Sequence, residues 1–64
     1  MRIDRIKLVS ELARQDMTQL KLAELSGVSR ATITSIKSGK SCTEEVGQKI
    51  ANALDIPLVK LIEK

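Results

Sequence analysis

Between Leu25 and Thr43 the chain carries three basic side chains, Arg30, Lys37 and Lys40, and no acidic one. The whole 64-residue chain has eleven Lys and Arg against eight Asp and Glu, a net of +3. The entire excess therefore lies in this one window, and the rest balances at eight of each sign. A basic stretch rich in Ser and Thr suits an anionic partner, because Lys and Arg neutralise phosphates and release their counterions. The plainer alternative is a solvated segment whose exposed positions happen to be hydroxyl residues.

Other chemistries find few residues to work with. There is no His, so imidazole bases and His metal ligands are excluded. The single Cys42 cannot form an internal disulfide, which argues against a stapled secreted domain. Its place just before a helix N-terminus makes redox sensing conceivable, with a plain loop residue as the expected reading. Glu44 and Glu45 are adjacent and project about 100° apart on a helix, so they suit the helix dipole rather than paired carboxylate catalysis. No Gly-rich phosphate loop occurs. With no Phe, Tyr or Trp, base stacking of splayed single strands is excluded. No enzyme, cofactor, metal or small-molecule ligand is expected. No apolar run approaches roughly 18 residues and no signal peptide is visible, so a cytoplasmic location is expected.

The elements that must position these side chains read as all-α, in one domain spanning residues 1–64. A first helix is predicted from about Ile3 to Arg14, with Ile6, Leu8, Val9, Leu12 and Ala13 at three- and four-residue spacings. Thr18 caps a second helix from Gln19 to Leu25 or Ser26, and Gly27 fits the left-handed position beyond it. Ser29 caps a third helix, Arg30 to Lys37, with Ile33 and Ile36 on one face. The polar turn Ser38-Gly39-Lys40-Ser41 ends it. Thr43 caps a fourth helix with Val46, Ile50, Ala53 and Leu54 as its stripe. Pro57 suits the start of a short fifth helix, Leu58 to about Glu63.

The segment from Gln19 to Lys37 combines several requirements of one geometry. Two helices crossing at a short turn need a small residue where their axes approach (Ala23) and a turn residue with positive φ (Gly27). They also need apolar residues toward a common core (Leu22, Val28, Ile33, Ile36) and a cap on the second helix (Ser29). Each feature alone fits generic helix pairing. Together they specify a helix-turn-helix at about residues 19–37.

On these residues the chain resembles the Cro/CI-type (XRE-like) helix-turn-helix family of phage repressors and small bacterial regulators. The resemblance covers nearly the whole chain and rests on Met17-Thr18-Gln19, Leu22-Ala23-Glu24, Gly27-Val28-Ser29-Arg30, Ile33 with Ile36, Ser38-Gly39-Lys40, and Ile50 to Leu54. It implies a compact five-helix bundle of the lambda-repressor-like type with the third helix in the DNA major groove. Three departures stand out: Ser26 replaces the usual aliphatic residue before the turn glycine, Leu20 and Leu25 replace charged residues, and Leu12 and Lys37 occupy the positions of a frequent ion pair. Without that pair, Lys37 is free to meet a phosphate.

In such a geometry Arg30, Ala31, Thr34 and Ser35 face the bases. Arg30 is the candidate for bidentate pairing with guanine O6 and N7, or else for a phosphate, and Ala31 can meet a thymine methyl group. The matched position of Gln19 implies a phosphate contact, with Thr18, Ser29, Thr32, Lys37, Ser38 and Lys40 as further backbone contacts that set register. Family repressors bind pseudo-palindromic operators as homodimers. The candidate dimer surface is Ile56, Leu58, Val59 and Ile62, together with Leu61, unless these residues fold back onto the first and fourth helices. The function expected is a sequence-specific double-stranded DNA-binding transcriptional regulator, and more narrowly a repressor that occludes a promoter. The alternative is a protein-interaction module, such as an antitoxin or adaptor, using Leu20, Leu25 and the C-terminal apolar residues.

Overall fold

The computed structural model describes residues 1–63. Four α-helices follow in order: α1 (Arg5–Arg14), α2 (Gln19–Ser26), α3 (Arg30–Lys37) and α4 (Glu44–Leu54). Each starts where a short polar side chain satisfies free backbone N–H groups. Thr18, Ser29 and Thr43 accept from the N–H groups of Lys21, Thr32 and Val46 at 3.0, 3.2 and 3.2 Å. All three are the caps expected from the sequence.

The fifth helix is not formed. Leu58–Lys60 makes a single 3-10 turn after Pro57, so the bundle has four α-helices rather than five. The first helix is also shorter than expected. Asp4 caps it, its Oδ1 accepting from the N–H groups of Ile6 and Lys7 at 2.9 and 3.2 Å. Ile3 therefore lies outside α1 and forms an isolated antiparallel bridge with Ile62. The Asp4 N–H donates to the Leu61 carbonyl at 2.7 Å, and the Glu63 N–H donates to the Arg2 carbonyl at 3.0 Å. The two ends of the described chain are thus tied together, and backbone groups that a final helix would have paired internally pair across this ribbon instead.

The core is aliphatic throughout: Ile3, Leu8, Leu12, Leu22, Val28, Ile33, Ile36, Ile50, Ala51, Leu54 and Leu61. On α1 only Leu8 and Leu12 are buried, while Ile6 is 71% exposed and Val9 and Ala13 also face outward. On α4 the buried line is Gly47, Ile50, Ala51 and Leu54, with Val46 and Ala53 at its edges rather than its centre. Gly47 permits a close approach there: a Cβ would sit 3.1 Å from Met1 Cε and 3.2 Å from Leu58 Cδ1. Two turns use aspartate in the left-handed region, Asp16 at φ 53° and Asp55 at φ 57°. Short side chains that bond locally tolerate this conformation better than most residues.

Candidate nucleic-acid interface

Helix α2 ends at Gly27, which adopts φ 73° and donates its N–H to the Ala23 carbonyl at 3.0 Å. This left-handed residue redirects the chain within three residues, so that Val28 enters the core and Ser29 opens α3. Ser26 has a role here that its unusual identity conceals. Its hydroxyl accepts the Val28 N–H at 3.2 Å, supplying a turn donor with an acceptor that an aliphatic side chain does not have.

With Ile33 and Ile36 buried, α3 is anchored along one face. Its opposite face presents Arg30, Ala31 and Thr34, all exposed, with Ser35 and Lys37 half-buried at its margins. No acidic residue lies on α3 or in either flanking turn. Among the described residues Arg30 has no hydrogen-bond or ion-pair partner, so its five donors remain available. Lys40 is exposed in the loop beyond α3.

The hydroxyl residues differ in what they have left to offer. Ser38 donates its hydrogen to the Ser35 carbonyl at 2.8 Å and so keeps only acceptor capacity. Ser29 and Thr32 bond one another at 2.9 Å, which leaves one free hydrogen between them. Thr18 accepts from Lys21 but keeps its own hydrogen. Thr34 accepts from Gln19 Nε2 at 2.6 Å, and the other end of that amide, Oε1, accepts from Lys37 Nζ at 3.2 Å. Lys37 is therefore not wholly free, as the missing ion pair with position 12 suggested, although two of its three ammonium donors remain. Leu12 is buried in the core instead.

One basic residue near this surface is not among the expected site residues. Arg5 lines a shallow cleft together with Ile6, Val9, Ser10 and Lys37. It sits far from the basic window along the chain, so charge counting gives no sign of it. Cys42 is half-buried against the core, and burial pushes its thiol up from the ordinary value, away from a reactive thiolate. Its backbone N–H donates to the Met1 carbonyl at 2.8 Å.

The C-terminal apolar residues have separate placements. Leu61 is buried in the core, and Ile56 and Leu58 are half-buried against it. Ile62 is half-buried in the bridge with Ile3, and Val59 is 65% exposed. Leu20 and Leu25 are each about half exposed on α2. No helix among the described residues is long and apolar enough to cross a membrane.

A sequence model of the helix-turn-helix family matches residues 9–61. Two solved structures superpose on the whole chain at TM-score 0.85 with 22% sequence identity: native PhpD with cadmium atoms, and PhpD with cadmium complexed with hydroethylphosphonate. The chain spans 14% of the length of each, and the likeness is one of fold. No curated protein sequence matches the chain.

Proposed function

The chain belongs to the Cro/CI-type helix-turn-helix family, and from that premise we propose that it is a sequence-specific transcriptional regulator that inserts α3 into the major groove of duplex DNA. Domains of this family bind DNA and are not themselves catalytic. The observation that carries the reading is the outer face of α3, which is exposed, free of acids and headed by Arg30, a residue with no partner among the described residues. An α-helix fits the major groove, and a guanidinium matches the paired acceptors of guanine. Arg30 reads a base, with Ala31, Thr34 and Ser35 as further base contacts. Thr18, Gln19, Ser29, Thr32, Lys37, Ser38 and Lys40 hold the phosphates on either side, Thr18 by its spare hydroxyl hydrogen and Ser38 by turning its hydrogen from the Ser35 carbonyl to a phosphate oxygen.

Residues 1–64 act as one DNA-binding unit in this proposal, and two units act together. The longest dimension of the folded chain is 25 Å, shorter than the spacing of about 34–36 Å between adjacent half-sites. One copy therefore occupies one half-site, and a pseudo-palindromic operator takes a homodimer. Of the dimer residues Ile56, Leu58, Val59 and Ile62, Val59 offers the most accessible apolar surface. Repression follows by occlusion of a promoter. The protein-interaction alternative has less support, because Leu20 and Leu25 lie five positions apart and diverge by about 140°, forming no single stripe.

Binding titrations against selected and scrambled duplexes test the reading. Arg30→Ala is expected to lose discrimination at one base pair, worth about 1–3 kcal/mol. Lys40→Ala is expected to weaken both duplexes alike and to reduce the salt slope by about 1. Equal losses on both duplexes for Arg30→Ala would remove Arg30 from base readout.

A further inference from the structure

We propose that Gln19 is a positioning residue that fixes the hydrogen-bonding polarity of Thr34, so that Thr34 reads a base acceptor and disfavours a cytosine amino group. This rests on α3 lying in the major groove, as argued above. The geometry is a chain of three side chains: Lys37 Nζ lies 3.2 Å from Gln19 Oε1, and Gln19 Nε2 lies 2.6 Å from Thr34 Oγ1.

The direction of that chain follows from what each group can do. An ammonium only donates, so the end of the Gln19 amide facing Lys37 must be its oxygen. The amide nitrogen then faces Thr34, and a primary amide nitrogen only donates, so the Thr34 hydroxyl must accept. Its own hydrogen has no acceptor among the described residues and remains available on the exposed face of α3. The bonds also reinforce one another. The cation polarises the amide, which strengthens its N–H as a donor, and the accepting hydroxyl becomes a better donor in turn. One lone pair of Thr34 stays free, so acceptance is disfavoured rather than abolished.

In the major groove, guanine offers acceptors at O6 and N7, adenine at N7 and thymine at O4, whereas cytosine offers only an amino donor. A donor-poised Thr34 disfavours cytosine at the base it meets, by roughly three- to tenfold against a base with an acceptor, for one neutral hydrogen bond. Gln19, with its half-buried side chain, thus acts on base choice through Thr34 without touching a base.

The test replaces Gln19 with an acceptor of nearly the same shape. In Gln19→Glu the carboxylate keeps its contact with Lys37 but can only accept, so Thr34 must turn its hydrogen inward and its lone pairs outward. Sequences selected from random duplex DNA by the wild type, Gln19→Glu and Thr34→Val are compared. The wild type is expected to exclude cytosine at one position, and Thr34→Val to lose that discrimination alone. Gln19→Glu is expected to bind all sequences more weakly, from its added negative charge, and at that same position to gain cytosine. In the free protein, the side-chain amide protons of Gln19 are expected downfield and moved upfield in Thr34→Val, a readout that needs no DNA.

Selection by Gln19→Glu with the wild-type ranking at every position would overturn the proposal. So would Gln19 amide resonances indifferent to Thr34→Val. Wild-type protein that selects no sequence at all would overturn the DNA-binding reading itself, and this inference with it.

Discussion

Where α1 meets the end of α4, polar side chains close on one another. Glu11 accepts from Arg14 and Gln15, and the Gln15 amide also donates to the Leu54 carbonyl at 2.6 Å, joining the C-terminus of α1 to that of α4. The outer side of α3 is arranged in the opposite way. Arg30 has no partner among the described residues, Lys37 retains two donors, and Thr18 and Thr34 keep their hydroxyl hydrogens. Both regions are built from short helices capped by hydroxyl or carboxylate side chains, so secondary structure does not separate them. They differ in whether hydrogen-bonding capacity is consumed inside the chain or left facing outward. Exposed donors left to water, without a single acid on α3 or in its flanking turns, can be taken up by an anionic partner at little internal loss, which is why the contrast points to α3.

The largest way to break the contrast is to remove the scaffold beneath it. Ile33 is fully buried under the exposed face of α3, and Ile33→Ala is expected to cost about 2–5 kcal/mol. A domain this small is held by roughly 3–5 kcal/mol, so the variant should keep at most about 3 kcal/mol and melt well below the wild type by circular dichroism. A cooperative melt within a few degrees of wild type would mean that α3 is not anchored as described.

A smaller pair of changes separates structure from function. Thr18→Ala and Thr43→Ala each delete an N-cap and are expected to lose about 1 kcal/mol of stability. Only Thr18→Ala should also weaken DNA binding, uniformly across sequences, since Thr43 lies outside the proposed interface. Equal DNA affinities for the two variants in the same titration would strike Thr18 from the phosphate contacts.

The smallest effect belongs to the closed network. Hydrogen bonds from Arg14 and then Gln15 hold the Glu11 carboxyl down to about 2, against an ordinary value of 4.5. A carboxyl depressed in the folded state contributes stability that is fully present above about 4.5 and is lost as pH falls through about 2. Acid melts of the wild type should lose stability across that window, more so at low salt, and Glu11→Gln should remove part of the slope. Identical acid profiles for both proteins would dissolve the network as a feature of the folded state.

Much of the α2–α3 region was legible in the sequence because its signals are local. Caps, the turn glycine and the Ile33–Ile36 spacing each constrain only their neighbours, and α2 and α3 have their expected bounds. The ends of the chain were harder to read because their pairing is long-range. Nothing near Ile3 indicates a bridge to Ile62, and nothing after Pro57 reveals that backbone groups there will pair with Arg2 and Asp4. Asp4, by contrast, is an N-cap residue type ahead of the apolar pattern, and the expected helix start at Ile3 overlooks it. Helix α1 was ambiguous for a different reason. Ile6, Val9 and Ala13 form a line as regular as Leu8 and Leu12, and only the position of α3 decides which line is buried. The Gln19–Thr34–Lys37 chain crosses two helices and the turn between them, so spacing alone could nominate its members but not connect them.

Whether the unspent donors of α3 read duplex DNA is decided by titrating the wild-type chain, over a salt series, with a duplex recovered by selection and with its scrambled counterpart. Affinity is expected to fall linearly on a log–log salt plot, with the selected duplex bound at least about 10³-fold more tightly than the scrambled one. Equal affinity for the two duplexes at every salt concentration would contradict that reading.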